Sequence, residues 1–474
     1  MASENVSSWA SAFAAAMLLC GCFDPEDPPP LDTDDGTSSS GGSMDASNTD
    51  PTEPSTSGPT TEPTGETDDP TGETDDPTGD TDDPTGDTDD PTDPTDSTDT
   101  DDPTTTGVEP ACDDGNADPG ELCLDMPPNM LMAPAGPVDV ALGDISSNGL
   151  MDIVVLARGD DATDVVVTLE ADGVGGFVNG TTEPVPSPAA RLRLGDMDND
   201  DDLDVVVHAG DIVWLRNQGS FFLDYEVASN FAGTWSVSDV FLADINEDGV
   251  LDVGYSEAYG RAWVGGVLTN GVWTPGPSGS FPGPGEGAAG MAVGVLSQDG
   301  DDDLDVIAFN QYYSAALMLP GNGGGGFTEG PEVEMCTSDI DGVRYGEIAD
   351  FNDDGMSDIV VTCMDGDGAV SLGTADGFGP PSALPLAGAF KPSVADLDGD
   401  GDDDVLLASS TLDRAVMFIN DGSGAFELAD RQFMAPGPVY AAVAGDLNDD
   451  GATDVVVIAF PDGPGAVAVY TATP

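Results

Sequence analysis

The residues best equipped for chemistry in this sequence lie in seven short acidic segments of nine residues each. They are Asp144–Asp152, Asp196–Asp204, Asp244–Asp252, Ser297–Asp305, Asp350–Asp358, Asp396–Asp404 and Asp446–Asp454. Carboxylates or amides recur at the first, third, fifth and ninth places. The second segment fills all four with Asp196, Asp198, Asp200 and Asp204, and the sixth with Asp396, Asp398, Asp400 and Asp404. The third has Asp244, Asn246, Asp248 and Asp252; the fifth has Asp350, Asn352, Asp354 and Asp358. The seventh has Asp446, Asn448, Asp450 and Asp454. Oxygens so spaced on a tight turn point to one centre, and a hard cation that takes about six to eight oxygen ligands fits them best. That cation is calcium. A glycine at the sixth place permits the left-handed backbone of such a turn. Several structural calcium ions are therefore expected. Two segments are poorer: the first has only Asp144 and Asp152 as charged ligands, and the fourth has Asp299, Asp301 and Asp305 behind Ser297. The plainer alternative is a set of Asx-stabilised turns. It leaves the mutual repulsion of converging carboxylates unrelieved.

The segments start 52, 48, 53, 53, 46 and 50 residues apart, a regularity that marks a repeat architecture. An apolar run precedes each, as in Val138–Leu142 and Tyr440–Ala444, and another follows, as in Ile153–Leu156 and Val455–Ile458. A third run comes about ten residues later, then a glycine-rich turn ending in an aromatic such as Phe177, Phe327, Phe378 or Phe426. Four short strands per unit is the grammar of a propeller blade. Seven units over residues 124–474 predict an all-β, seven-bladed β-propeller of four-stranded blades. The last unit stops after its third strand, Ala466–Tyr470, while Met130–Pro137 matches Gln432–Pro438. A strand from the start of the domain is thus expected to complete the last blade and close the ring.

This pattern resembles the FG-GAP/VCBS repeat family, seven-bladed propellers related to integrin α-subunit heads and common on bacterial surfaces. The resemblance spans 124–474 and implies the propeller fold and calcium in its loops. It leaves function open, since one fold serves many tasks.

The formal charge of −83 excludes nucleic acid as a partner, because phosphates would be repelled. Residues 23–110 hold 28 Asp and Glu and no Lys or Arg. With almost nothing apolar to bury, they read as a disordered, extended Thr/Asp/Pro/Gly-rich stalk. Residues 1–22 carry a short apolar run, Trp9–Leu19, too short to span a bilayer. It is followed by Leu19-Cys20-Gly21-Cys22, which resembles a lipobox with Cys22 as the lipidated residue, although the leader lacks a positive start. The membrane would then be touched only through that lipid. The other four cysteines suit an oxidising compartment: Cys112 and Cys123 bracket a small polar segment at 111–123, and Cys336 and Cys363 are the natural second pair. A lipid-anchored protein facing outward from a bacterial envelope is the expected setting.

In a four-stranded blade the acidic loops share one face, and the connections on the other hold Arg158, His208, Trp235, Tyr259, Arg261, Tyr312, Tyr313, Arg344, Tyr345, Lys391 and Arg414. Aromatic and arginine side chains there suit an extracellular protein or carbohydrate ligand. The lone His208 makes a histidine-based triad very unfavourable as a reading, and no nucleophile elbow is present. Arg158-Gly159-Asp160 reads as a chance tripeptide in a chain this rich in Gly and Asp. The expectation is a monomeric, non-enzymatic recognition or adhesion module. A polysaccharide-degrading, lyase-like propeller and a purely structural envelope scaffold are the alternatives.

Overall fold

A computed structural model describes residues 124, 127–133, 136–159, 163–209, 212–219, 224–227, 237–257, 263–269, 272–279, 288–296, 303–337, 342–364, 366–460 and 465–473. The expected leader with Cys22, the acidic stalk and the Cys112–Cys123 bridge lie outside these residues. So do Trp235, Tyr259, Arg261, Asp299 and Asp301.

The described residues are all-β and hold no helix. They form seven four-stranded antiparallel sheets, with one small extra hairpin at Gly373–Thr374 and Gly377–Phe378. The first strands are Pro137–Gly143, Arg191–Gly195, Val237–Ala243, Ala288–Val295, Val343–Ala349, Ala389–Ala395 and Val439–Gly445, and each heads a sheet numbered here in that order. Each first strand packs beside the next, and that of sheet seven packs on that of sheet one, so they run round a closed ring. The arrangement is a β-propeller. Sheet seven is completed by Asn129–Met132, which pairs with Ala466–Tyr470 in the register Asn129 to Val469 and Met132 to Ala466.

After the ninth-place Asp the second strands are mostly continuous apolar runs rather than alternating ones, because both of their faces are covered; Ser256, Thr362 and Ser409 are polar exceptions. In sheet one, Ile153 and Val155 pack on Val456, Ile458 and Val467 of sheet seven. Val154 and Leu156 turn the other way, onto Val205, Val207 and Val213 of sheet two. Each fully buried aliphatic side chain contributes roughly 1.5–3 kcal/mol, and the joints between sheets are built almost entirely from them. One joint is also covalent: Cys336, beyond the last strand of sheet four, is bonded to Cys363 in the second strand of sheet five, with S–S 2.04 Å.

One irregularity recurs. In all first strands except that of sheet two, the pairing with the second strand slips at a β-bulge near the strand's start, as between Pro137 and Asp139 or Val343 and Tyr345. A bulge places two residues opposite one and re-aims the side chains beside it. Its consequence is seen at the ring's centre.

Candidate functional site

The acidic segments are the turns between first and second strands, and all seven ninth-place aspartates are fully buried. In loop six Asp404 Oδ2 accepts the N–H of Leu397 at 2.9 Å, and its Oδ1 accepts that of Asn420 at 2.8 Å. The same double acceptance occurs at Asp204, from Met197 and Asn217, and at Asp454, from Leu447 and Ala472. The ninth carboxylate thus pins its loop to the end of the third strand. First-place aspartates hold the turn from the other side: Asp446 accepts the N–H of Asp450 at 3.2 Å and that of Gly451 at 2.9 Å.

The backbone of the loops is left-handed at two places. The sixth place is so at Gly149, Asp201, Gly249, Gly355, Gly401 and Gly451; the fourth is so at Ser147, Asn199, Glu247, Asp353, Gly399 and Asp449. Every non-glycine residue with positive φ among the described residues lies in these loops. Left-handed steps at the fourth and sixth places turn N–H groups inward, where the first-place carboxylate accepts them.

The loops differ in what they offer a cation. Among the described residues, Asp196, Asp198 and Asp204 form one group whose ligand atoms lie within 4.8 Å of each other, and Asp396, Asp398 and Asp404 form another. These are the two loops with four aspartates, and their donors fit a hard divalent ion. Burial pushes Asp404 up to about 7, against hydrogen bonds from Asn420 and Leu397, and Asp398 and Asp400 raise it further. Burial likewise pushes Asp204 up to about 6. A positive charge beside either carboxylate would oppose that displacement. Loop two has a partial one: the Arg216 guanidinium meets the Asp198 carboxylate and lies 5.8 Å from the centre of the Trp214 ring. In the amide-bearing loops, Asn246 Nδ2 donates to Asp252 at 3.0 Å, while Asn352 and Asn448 accept the N–H groups of Asp354 and Asp450.

Loop four departs from the expected register. The N–H that binds its ninth-place Asp305 is Leu296, nine residues back, whereas Phe351 and Leu397 sit seven residues before Asp358 and Asp404. The loop is therefore two residues longer than the others. The slot of the first aspartate falls to Val295, which is exposed and whose side chain carries no oxygen, rather than to Ser297.

A second constellation lies on the axis, which the sequence did not announce. Arg193 of sheet two is 3.6 Å from Asp139 of sheet one and 3.0 Å from Asp239 of sheet three. Lys391 of sheet six reaches over sheet seven to Asp139 at 2.7 Å. Arg191 is 3.7 Å from Asp239, donates to the Tyr345 hydroxyl across the ring, and stacks 4.6 Å from that ring's centre. Glu347 of sheet five completes the cluster, accepting the N–H of Val394 at 3.0 Å. Burial alone would raise Asp139, but Lys391, Arg193 and Arg191 together hold it below the ordinary carboxylate range. Glu347 goes the other way: burial pushes it up against the pull of Lys391 and Arg193. Next to the charges, Tyr345, Phe390 and Tyr440 form an edge-to-face row with centroids 5.2 and 5.8 Å apart, and Arg344 covers Phe390 at 5.1 Å.

The expected ligand-face residues are thus divided. Tyr345 is buried and Lys391 is paired on the axis, so both are corrected from surface loops to the ring's interior; Arg344 sits at the adjoining bulge. Arg158 pairs with buried Asp164 at 2.7 Å, and Arg414 donates to Gln432. His208 is buried, and neither ring nitrogen has a hydrogen-bond partner among the described residues. Tyr312 and Tyr313, 54% and 51% exposed, remain at the surface on the turn after the second strand of sheet four.

The family model described as an FG-GAP-like repeat matches residues 350–407 and 396–457, so the chain contains FG-GAP-like repeats. No curated protein matches the sequence. Among solved structures, the chain is similar to an Agrocybe aegerita lectin described as recognising non-reducing terminal N-acetylglucosamine. That match has 18% identity over 64% of this chain and 79% of the lectin, and a TM-score of 0.45. It is also similar to a Lactobacillus plantarum protein, at 14% identity over 64% of this chain and 87% of that one, with a TM-score of 0.44.

Proposed function

We propose that this chain is a calcium-loaded, seven-bladed recognition or adhesion module without catalytic activity. The observation that carries the reading is the convergence of Asp396, Asp398 and Asp404 within 4.8 Å, repeated at Asp196, Asp198 and Asp204. Such a site stabilises a loop rather than turning over a substrate, because its deepest carboxylate is already spent on two backbone N–H groups. Calcium would be held there by side-chain oxygens of the first, third and ninth places, the ninth also supporting the turn. Its role would be to cancel carboxylate repulsion and fix the loop face. The opposite face is then left for an extracellular protein or carbohydrate. We also propose that the module is displayed from a bacterial envelope through a lipid on Cys22; Cys22→Ala should release it from membranes, and a wild type that is already fully soluble would remove that part.

Two measurements test the reading. Calorimetric titration of the full chain with calcium should show binding, and heat indistinguishable from dilution would remove the metal. An array of surface proteins and glycans, probed in millimolar calcium, should return a ligand. Silence on both halves of the array would leave a scaffold.

A further inference from the structure

Six charged side chains meet on the axis of a chain whose formal charge is −83, yet three of the six are cations. A free ion entering there would meet its own sign beside the opposite one. A hydroxyl, which both donates and accepts, meets no such conflict. Arg193 and Lys391 offer N–H donors, and Asp139 and Glu347 offer oxygens beside them. Solvent reaches this floor: the side chains of Arg193 and Lys391 are 28% and 17% exposed.

Phe390 precedes Lys391 in its strand and so lies nearer the face away from the acidic loops. With half-buried Tyr440 it forms an apolar edge beside the polar floor. Aromatic faces beside a few convergent polar groups complement a sugar ring, which has an apolar CH face and a rim of hydroxyls. The seven first strands surround these groups in a closed ring, which suits the end of a chain better than a flat protein surface.

We propose that the axial mouth binds the end of a neutral glycan, one ring packed on Phe390 and Tyr440 and its hydroxyls directed to Arg193, Lys391 and Glu347. This rests on the recognition reading above and names its site and ligand class. The test is an array of neutral and uronic oligosaccharides with a parallel array of surface proteins, probed with full-length protein in millimolar calcium. The strongest glycan hit is then titrated against variants. The expected result is a neutral glycan whose Kd rises at least tenfold in Tyr440→Ala and in the isosteric Glu347→Gln, both retaining the wild-type melting transition. If Tyr440→Ala fails to fold, Tyr440→Leu, which removes the ring but keeps an apolar side chain, carries the test together with Glu347→Gln. A glycan lost in the double variant Tyr312→Ala, Tyr313→Ala but kept in Tyr440→Ala and Glu347→Gln would overturn the axial site and leave the recognition reading standing. So would a uronic-acid preference or a protein ligand alone. Silence on both arrays would overturn the two together.

Discussion

Lys391 Nζ lies 2.7 Å from Asp139 Oδ1, a contact between residues 252 apart in sequence that crosses from the sixth sheet to the first. Asp139 is buried, and its other oxygen accepts the N–H of Leu192 at 3.0 Å. Removing Lys391 takes away the nearest cation of a buried carboxylate and leaves Arg193 at 3.6 Å as its ion partner, so the cost should approach but not exceed the roughly 3 kcal/mol of a fully stranded charge. Lys391→Met should therefore lower the denaturant midpoint strongly. Adding Asp139→Asn should recover part of the loss, because the amide no longer carries the stranded charge. A double variant as unstable as the sum of the two singles would show that the pair is not coupled.

Loops two and six should not bind calcium equally. Each has a three-carboxylate group, but Asp198 already faces Arg216, while no cation is paired with Asp398 among the described residues. Asp398→Ala should lower the calcium-loaded Tm more than Asp198→Ala, and Ser146→Ala should do little. Arg216→Met should strengthen calcium binding at loop two. An ion held a hundredfold above its Kd stabilises by about 2.7 kcal/mol, so chelation should lower Tm by several degrees. Magnesium should substitute poorly, since it needs a smaller octahedral cage. Superimposable melting curves in calcium and in chelator would reduce the loops to turns.

Asp201 is the one sixth-place residue with positive φ that is not glycine, at φ 71°. Its counterpart Gly451 is at φ 90° and has open space where a Cβ would go. The cost at these positions is therefore backbone strain, not crowding. Asp201→Gly should raise stability by roughly 0.5–1 kcal/mol, and Gly451→Ala should lower it by about as much. Chemical denaturation of the two variants in calcium decides, and a sign reversal in either would refute the account.

His208 gives a pH dependence of its own. Burial, with Arg191 nearby, lowers it to about 3, while in the unfolded chain it titrates near 6.5. The unfolded chain therefore binds the extra proton first. Stability from this group is complete above pH 6.5 and falls toward pH 3, by roughly 1.4 kcal/mol per pH unit. Between pH 6.5 and 5 the wild type should lose stability relative to His208→Gln. As the single histidine, its ring signals should also hold steady in NMR spectra from pH 8 to 5. A midpoint near 6 would place the ring in water.

The strands, the ring's closing strand and the Cys336–Cys363 bond were legible because each has a local signature: apolar runs, a repeated segment, the two cysteines of residues 124–474. The ligand letters of loops two and six were legible too. What escaped depended on backbone shifts that spacing does not reveal. Tyr345 and Lys391 look like loop residues until the bulge ahead of each turns it onto the axis. Arg191 and Arg193 look like an ordinary alternation within a strand, and only ring closure brings Asp139 and Asp239 to them. Loop four hid its two extra residues because Asp299, Asp301 and Asp305 imitate the motif, whereas the hydrogen bond from Leu296 fixes the true register. The fourth-place turn left only a weak trace, since Ser, Asn, Glu, Gly and Asp all occupy it.

The strand Asn129–Met132 meets Ala466–Tyr470 with Asn129 beside Val469, and Leu124 bridges Ala472 just beyond. In that antiparallel order the third strand of sheet seven ends on the side of the acidic loops, so the chain enters the ring from that side. Any load applied through the residues preceding Leu124 is borne first by one bridge and then by a strand of four residues, drawn away from the loop face. The axial mouth looks the other way. The ring's closing seam and its pulling point therefore coincide, and tension would first reach the outer strand of the seventh sheet.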